Sequence, residues 1–145
     1  MDSRISQLAP SGWTYSQWRK FFVIAALWNI LSAVPATLWP EFNMKIFYDV
    51  LYGDDYAVML NRCFWISVLI FGIGYAIVSN APEKNQGIIV MGVLGKIAVT
   101  INWISLVLDG DATFVAFLGA AGDSIFTVYF IYFLASGPHN PQTDS

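Results

Sequence analysis

Apolar residues dominate four separate stretches of this 145-residue chain. The stretches cover residues 21–38, 57–78, 87–108 and 113–134. Each is close to the ~20 residues that an α-helix needs to cross a bilayer. Because lipid offers backbone N–H and C=O groups no hydrogen-bond partners, each stretch is predicted to be a transmembrane helix. Residues that break helices lie between the stretches, among them Pro40, Pro82 and Gly110.

The connection between the first two spans, residues 40–53, has a different pattern. Five apolar residues recur in it at helical spacing: Phe42, Ile46, Phe47, Val50 and Leu51. Glu41, Lys45 and Asp49 fall on another face. The pattern predicts a short amphipathic helix that lies in the membrane interface. An irregular loop with scattered apolar residues is the alternative.

The composition supports a membrane protein. Hydrophobic residues make up 57% of the chain and charged residues 12%, with a mean hydropathy of +0.57. Soluble domains carry about 25% charged residues, so this chain has too few charges to cover a soluble globular surface. We therefore predict an all-α integral membrane protein, a four-transmembrane-helix bundle with a short interfacial helix between the first two spans. Residues 21–135 form the predicted transmembrane domain, between tails at residues 1–20 and 136–145.

The net charge and the counts of cysteine and histidine restrict which partners and metals the protein could bind. A net charge of -3 does not favour a nucleic-acid partner. Cys63 is the only cysteine, and His139, the only histidine, falls in the C-terminal tail. A bis-histidine haem cannot form within one chain, and a zinc site of the usual histidine and cysteine type is disfavoured. The sequence thus predicts no metal site and no cofactor, and it assigns no catalytic residue.

The basic residues predict the orientation in the membrane. Those of the N-terminal segment and of the second connection fall on one side: Arg4, Arg19, Lys20 and Lys84. The other side has Lys45, and Arg62 just inside the second span. Because lysine and arginine accumulate in cytoplasmic loops, both termini of this multi-pass protein are predicted to be cytoplasmic.

Two ionisable residues lie deep within the predicted spans. Lys96 precedes the end of the third span by twelve residues, and Asp123 follows the start of the fourth by ten. The short turn between these spans makes them antiparallel neighbours, so the two residues differ in depth by about 3 Å. An unpaired charge at that depth costs roughly 2.5–3.5 kcal/mol. A Lys96–Asp123 ion pair is therefore predicted, either as a structural pair or as an ion relay or counter-ion for a substrate headgroup.

Asn29 adds a third polar group at a similar depth in the first span. Small residues lie on the same helix faces as Asn29, Lys96 and Asp123, before and after each of them, which favours close helix approach. We predict that Asn29, Lys96 and Asp123 face one another as an intramembrane polar cluster. Pro35 either kinks the first helix toward this cluster or is incidental to its packing. Arg62 is an outer-side contributor to a pathway or a structural anchor that reaches the interface.

Two segments resemble small four-span proteins that are broadly DoxX-like. They are FGIGYAIVSNAPEKNQGIIVMGVLGK, residues 71–96, and WNILSAVPATLWPEF, residues 28–42. The resemblance extends over most of residues 20–135 and implies a four-helix architecture. DoxX is linked to thiosulfate–quinone oxidoreduction as a membrane subunit, so the resemblance also implies a quinone-linked role.

Three functions are compatible with these patterns. The first is an accessory or ligand-binding membrane protein whose pocket contains Asn29, Lys96 and Asp123. The second is a proton- or ion-coupled transporter that works as a homo-oligomer, since four helices rarely enclose a pathway alone. The third is a subunit of a quinone-linked oxidoreductase, which would need a partner in a membrane complex. The lipid bilayer is the surrounding partner in all three.

Overall fold

A computed structural model describes residues 13–51 and 53–136 of the chain. These residues form helices and connections without any strand. The five α-helices are α1 (Tyr15–Leu38), α2 (Pro40–Tyr48), α3 (Asp55–Val78), α4 (Gln86–Asp109) and α5 (Phe114–Ser136). Four of them, α1, α3, α4 and α5, are long and apolar enough to cross a membrane. The predicted fold class, a four-span helical membrane protein with a short helix between the first two spans, is confirmed.

The helix ends follow local sequence signals. Helix α1 begins before the predicted span because Thr14 caps it. The Thr14 side chain accepts from the backbone N–H of Gln17, whose side chain accepts from the backbone N–H of Thr14. Helix α4 ends at Asp109 and is capped by Gly110, whose φ of 84° suits a residue without a Cβ. Most of both predicted tails, with Arg4 and His139, lies outside the described residues.

The four long helices form an antiparallel bundle in which α1 packs against α3 and α4 against α5. Contacts at both ends of the α1–α3 pair show its direction. Arg19 Nε donates to the carbonyl oxygen of Ser79 at 2.7 Å, and Asn61 Nδ2 lies 3.5 Å from the carbonyl oxygen of Pro40. The aromatic contact between Phe22 of α1 and Phe130 of α5 closes the ring of helices. Going around the bundle, the order is therefore α1, α3, α4 and α5.

The core consists of two clusters stacked along the bundle axis. The tail-side cluster, at the end where α1 begins, contains Trp18, Phe21, Phe22, Ala25, Ala26, Tyr75, Val78, Ile89, Phe126, Phe130 and Phe133. The α2-side cluster contains Ala33, Ala36, Trp65, Trp103, Ala116 and Ala120. Two buried polar residues, Asn29 and Lys96, lie at the level between the clusters. The apolar packing on both sides of this level fixes the polar side chains in place.

Helix α2 covers the end of the bundle next to the α2-side cluster. Trp65 Nε1 donates to Asn43 Oδ1 at 2.7 Å, and Trp103 Nε1 donates to the Tyr48 hydroxyl at 3.0 Å. Burial raises the pKa of the Tyr48 phenol above its ordinary value. Phe42 is 67% exposed and points away from the bundle. Helix α2 thus holds the bundle in part through polar contacts and leaves the Phe42 ring for the surrounding membrane.

The structure also corrects the extent of this helix and its buried face. The helix ends at Tyr48 rather than continuing through residue 53, because Asp49 adopts a left-handed conformation with φ 56°. Its buried residues are Pro40, Asn43 and Met44. The residues of the predicted apolar face therefore have different surroundings. Phe47 packs against Trp65 and Trp103. Phe42, Val50 and Leu51 remain exposed.

Candidate functional site

The intramembrane polar cluster consists of Asn29, Lys96 and Asp123, which come from α1, α4 and α5. Lys96 Nζ lies 2.6 Å from Asp123 Oδ1 and donates to Asn29 Oδ1 at 3.1 Å. The Lys96 side chain is 5% exposed and that of Asp123 13%. The structure therefore brings together the three residues that were predicted from the sequence to lie at similar depth in the membrane. Lys96 of α4 and Asp123 of α5 form the ion pair.

Other groups complete the surroundings of the lysine and the asparagine. The Lys96 ammonium lies 5.7 Å from the ring centre of Tyr75 and 5.4 Å from that of Phe126. At these distances the ring faces attract the cation. Asn29 Nδ2 donates to the carbonyl oxygen of Val68 at 3.2 Å, so its amide links α3 to α4. Every helix of the bundle thus contributes to the environment of Lys96.

Trp28 belongs to the site but was not predicted from the sequence. Its Nε1 donates to Asp123 Oδ1 at 3.2 Å, although the residue as a whole is 42% exposed. The indole lies directly over Gly122, where an added Cβ would come within 2.3 Å of the ring. Gly122 leaves room for Trp28 to reach Asp123, so a glycine next to the acid is the sequence signal for this contact.

A cavity of about 190 Å³ lies between the polar cluster and α2. Its wall contains five aromatic rings: Trp28, Phe47, Phe64, Trp65 and Trp103. Asn29, Ser32 and Asp123 supply its polar atoms, and Val68, Val99, Val115, Leu118 and Gly119 complete the lining. Lys96 does not line it. The carboxylate of Asp123 therefore separates the ammonium of Lys96 from the space that a ligand could enter.

The cavity meets the bundle surface between α1 and α5. Of its lining residues there, Trp28, Val115 and Leu118 are exposed. Trp28 lies in the middle of the α1 span, where exposed apolar side chains face the hydrocarbon of the bilayer. These exposed residues place the mouth of the cavity on the side of the bundle between α1 and α5.

Asp123 has an unused acceptor. Both hydrogen bonds that its carboxylate receives go to Oδ1, from Lys96 and Trp28. Among the described residues, none donates to Oδ2. Ser32, also in the lining, donates its hydroxyl to carbonyl oxygens of its own helix, those of Trp28 and Asn29. The site can therefore accept a hydrogen bond from a ligand at Asp123 while the ion pair stays intact.

The other residues singled out from the sequence lie apart from this cluster. Arg62 is exposed on α3, and no hydrogen bond or ion pair joins it to another residue of the described ranges. Cys63 is exposed beside it. Helix α1 continues through Pro35 to Leu38. Within residues 13–51 and 53–136, no three histidine, cysteine or carboxylate side chains are grouped to hold a metal ion.

The geometry defines a class, a small polytopic membrane protein with a polar cluster and an aromatic cavity inside its helix bundle. Comparison of the chain with models of known families, with curated proteins and with solved structures finds no match. The DoxX-like resemblance therefore stays a prediction, and the site itself must carry the argument about function.

Proposed function

We propose that this protein binds a small amphiphilic ligand in the aromatic cavity, as an accessory or ligand-binding component of the membrane. The cavity beside Asp123 is the observation that carries the proposal. Ligand sites in proteins combine mainly apolar and aromatic walls with a few polar groups that orient the ligand. Here the five rings supply the wall and the Asp123 carboxylate supplies the orienting acceptor.

The charges favour a neutral ligand. Lys96 already neutralises Asp123 across 2.6 Å, so a cation in the cavity gains little from the acid. An anion would meet the carboxylate before the ammonium. A hydroxyl or N–H donor, in contrast, would pair with Oδ2 without disturbing the ion pair. We therefore infer a neutral headgroup that donates a hydrogen bond and stacks on the aromatic wall.

The size of the cavity favours a headgroup rather than a whole molecule. Pockets that enclose drug-sized ligands measure roughly 300–1,000 Å³, whereas this one measures about 190 Å³. Its mouth faces the lipid between α1 and α5. An apolar tail attached to the headgroup would therefore extend through the mouth into the bilayer, and the ligand would enter from the membrane.

The ligand can be identified from protein purified in a mild detergent. Native mass spectrometry should show a bound neutral molecule, and organic extraction should release it for identification. We expect Ser32→Phe, which fills the cavity wall, to lower ligand occupancy about tenfold or more, equivalent to ~1.4 kcal/mol. Val128→Phe, on the exposed face of α5, should leave it unchanged. A wild-type protein without ligand, or equal occupancy in Ser32→Phe, would contradict the proposal.

A quinone-linked subunit is a second candidate, and the donor–acceptor pattern of the cavity favours it. A reduced quinone ring is flat, apolar and carries phenolic hydroxyls, which could donate to Asp123 Oδ2 while the ring contacts Trp28 or Trp103. The role would require an oxidoreductase partner in the membrane. An extracted ligand with a quinone absorption spectrum would support this candidate, and a lipid without a redox-active ring would argue against it.

We also infer that both termini are cytoplasmic. Exposed Arg19, Lys20 and Lys84 gather at one end of the bundle, since Arg19 contacts the end of α3 and Lys84 precedes α4. This is the end predicted to face the cytoplasm.

Cysteine labelling with a membrane-impermeant maleimide tests the orientation. In a Cys63→Ser background, Asp54→Cys should react from outside intact cells, whereas Asn80→Cys should react only after the membrane is opened. Both positions are exposed and lie at opposite ends of α3. The reverse pattern would show that the protein has the opposite orientation.

A further inference from the structure

Asn102 is a polar residue on the outer surface of the bundle at membrane depth. It lies in α4, seven residues before the helix ends at Asp109, and its side chain is exposed. At a rise of 1.5 Å per residue, it is about 10 Å from that helix end. Because α4 is longer than the hydrocarbon layer needs, this position falls within the apolar part of the bilayer.

The Asn102 amide has no hydrogen-bond partner among the described residues. Exposed Ser67 of α3 donates to the Cys63 carbonyl oxygen at 3.0 Å. Arg62 is long enough to bring its guanidinium to the interface. The short side chain of Asn102 cannot reach water in that way. A second protein surface can satisfy the amide at this depth.

We propose that this face of α4 is the interface of a homodimer, with Asn102 of the two copies paired across a two-fold axis. An asparagine amide both donates and accepts, so two copies can form reciprocal hydrogen bonds. Copies with the same topology related by an axis along the membrane normal place identical residues at identical depth. This self-complementarity favours a second copy of the chain over an unrelated partner, which would need its own polar residue at that level.

The residues around Asn102 allow two helices to approach. Ala98 and Ser105 lie four residues before and three residues after it, on the same exposed side of α4. Their small side chains permit close contact between helix backbones, where an interhelical amide hydrogen bond can form. No exposed residue that lines the cavity belongs to α4. A dimer built here therefore leaves the proposed ligand entrance in contact with lipid.

Cross-linking in native membranes tests the interface directly. In a Cys63→Ser background, oxidation of Ser105→Cys should give a disulfide-linked dimer, because the residue lies near the two-fold axis. Val128→Cys, exposed on α5, is the matched control and should stay monomeric. Equal cross-linking of both variants, cross-linking of Ser105→Cys to a different protein, or no cross-link at either position would overturn the proposal.

The role of the amide is tested by the mass of the purified protein. Wild type should be dimeric by native mass spectrometry in mild detergent. Asn102→Leu should raise the dimer dissociation constant about tenfold or more, while Asn102→Gln should restore much of the association because it keeps the amide. Leucine suits a lipid-facing helix, so the monomer should still fold, which circular dichroism would verify. A monomeric wild type, or an Asn102→Leu variant that dimerises as tightly, would contradict the proposed contact.

Discussion

Replacing Lys96 by methionine should destabilise the protein by about 3–5 kcal/mol, because it leaves the Asp123 carboxylate without its partner in a low-dielectric site. Asp123→Asn should have a comparable effect by stranding the ammonium of Lys96, which is 5% exposed. The measurement is the free energy of unfolding in a mild detergent, followed by circular dichroism. A single variant as stable as wild type would contradict the prediction.

The double variant Lys96→Met with Asp123→Leu should recover much of this loss, since replacing a buried pair by apolar residues is often neutral. Lys45→Met is the matched control. Lys45 forms an ion pair with Asp49, but their side chains are 44% and 73% exposed. Loss of such a surface pair should change stability by less than about 1 kcal/mol. If the double variant folds and retains ligand, the Lys96–Asp123 pair has a structural role only. If it folds but no longer binds ligand, the pair belongs to the ligand site.

Gly72→Val should destabilise the bundle by roughly 1–3 kcal/mol, as overpacking of a tight contact does. A Cβ at residue 72 would lie 2.8 Å from Ile30 Cγ1 and 3.3 Å from the carbonyl oxygen of Ala26. It would also come within 3.1 Å of Asn29 Cβ. The substitution should therefore push α1 away from α3 and weaken the contact between Asn29 and Lys96.

Gly87→Ala is the corresponding control for the glycine prediction. An added Cβ there meets no atom within 4 Å, and the residue lies at the exposed start of α4. Alanine favours a helix over glycine by up to about 1 kcal/mol, so this variant should be as stable as wild type or slightly more stable. Thermal unfolding of both variants in the same detergent compares them. Equal stability of Gly72→Val and wild type would show that α1 and α3 do not need this close approach.

Much of the fold could be predicted because the bilayer imposes simple rules. The length of the apolar stretches predicted the four spans. The short turn before α5 showed that Lys96 and Asp123 lie at similar depth in neighbouring helices. The early start of α1 could also have been predicted, since Thr14 and Gln17 have the spacing of a capping box. These features depend on local sequence or on depth along one axis.

Features that depend on packing around that axis could not be predicted. Trp28 is typical of a lipid-facing aromatic residue, and only the approach of α5 at Gly122 places its indole on Asp123. The cavity forms because five aromatic rings from four helices leave space between them at one level of the bundle. The buried face of α2 was missed for a related reason, because Asn43 is buried by its hydrogen bond to Trp65 and not by its hydrophobicity.

The position of Lys96 also bears on how the chain enters the membrane during synthesis. Helix α4 emerges before α5, so for a time its lysine has no carboxylate beside it and carries an insertion cost of roughly 2.5–3.5 kcal/mol. Only the few residues from Gly110 to Thr113 separate the two helices. The acid therefore follows closely behind the base, and α4 and α5 can leave the insertion machinery together as a helical hairpin whose charges are already matched.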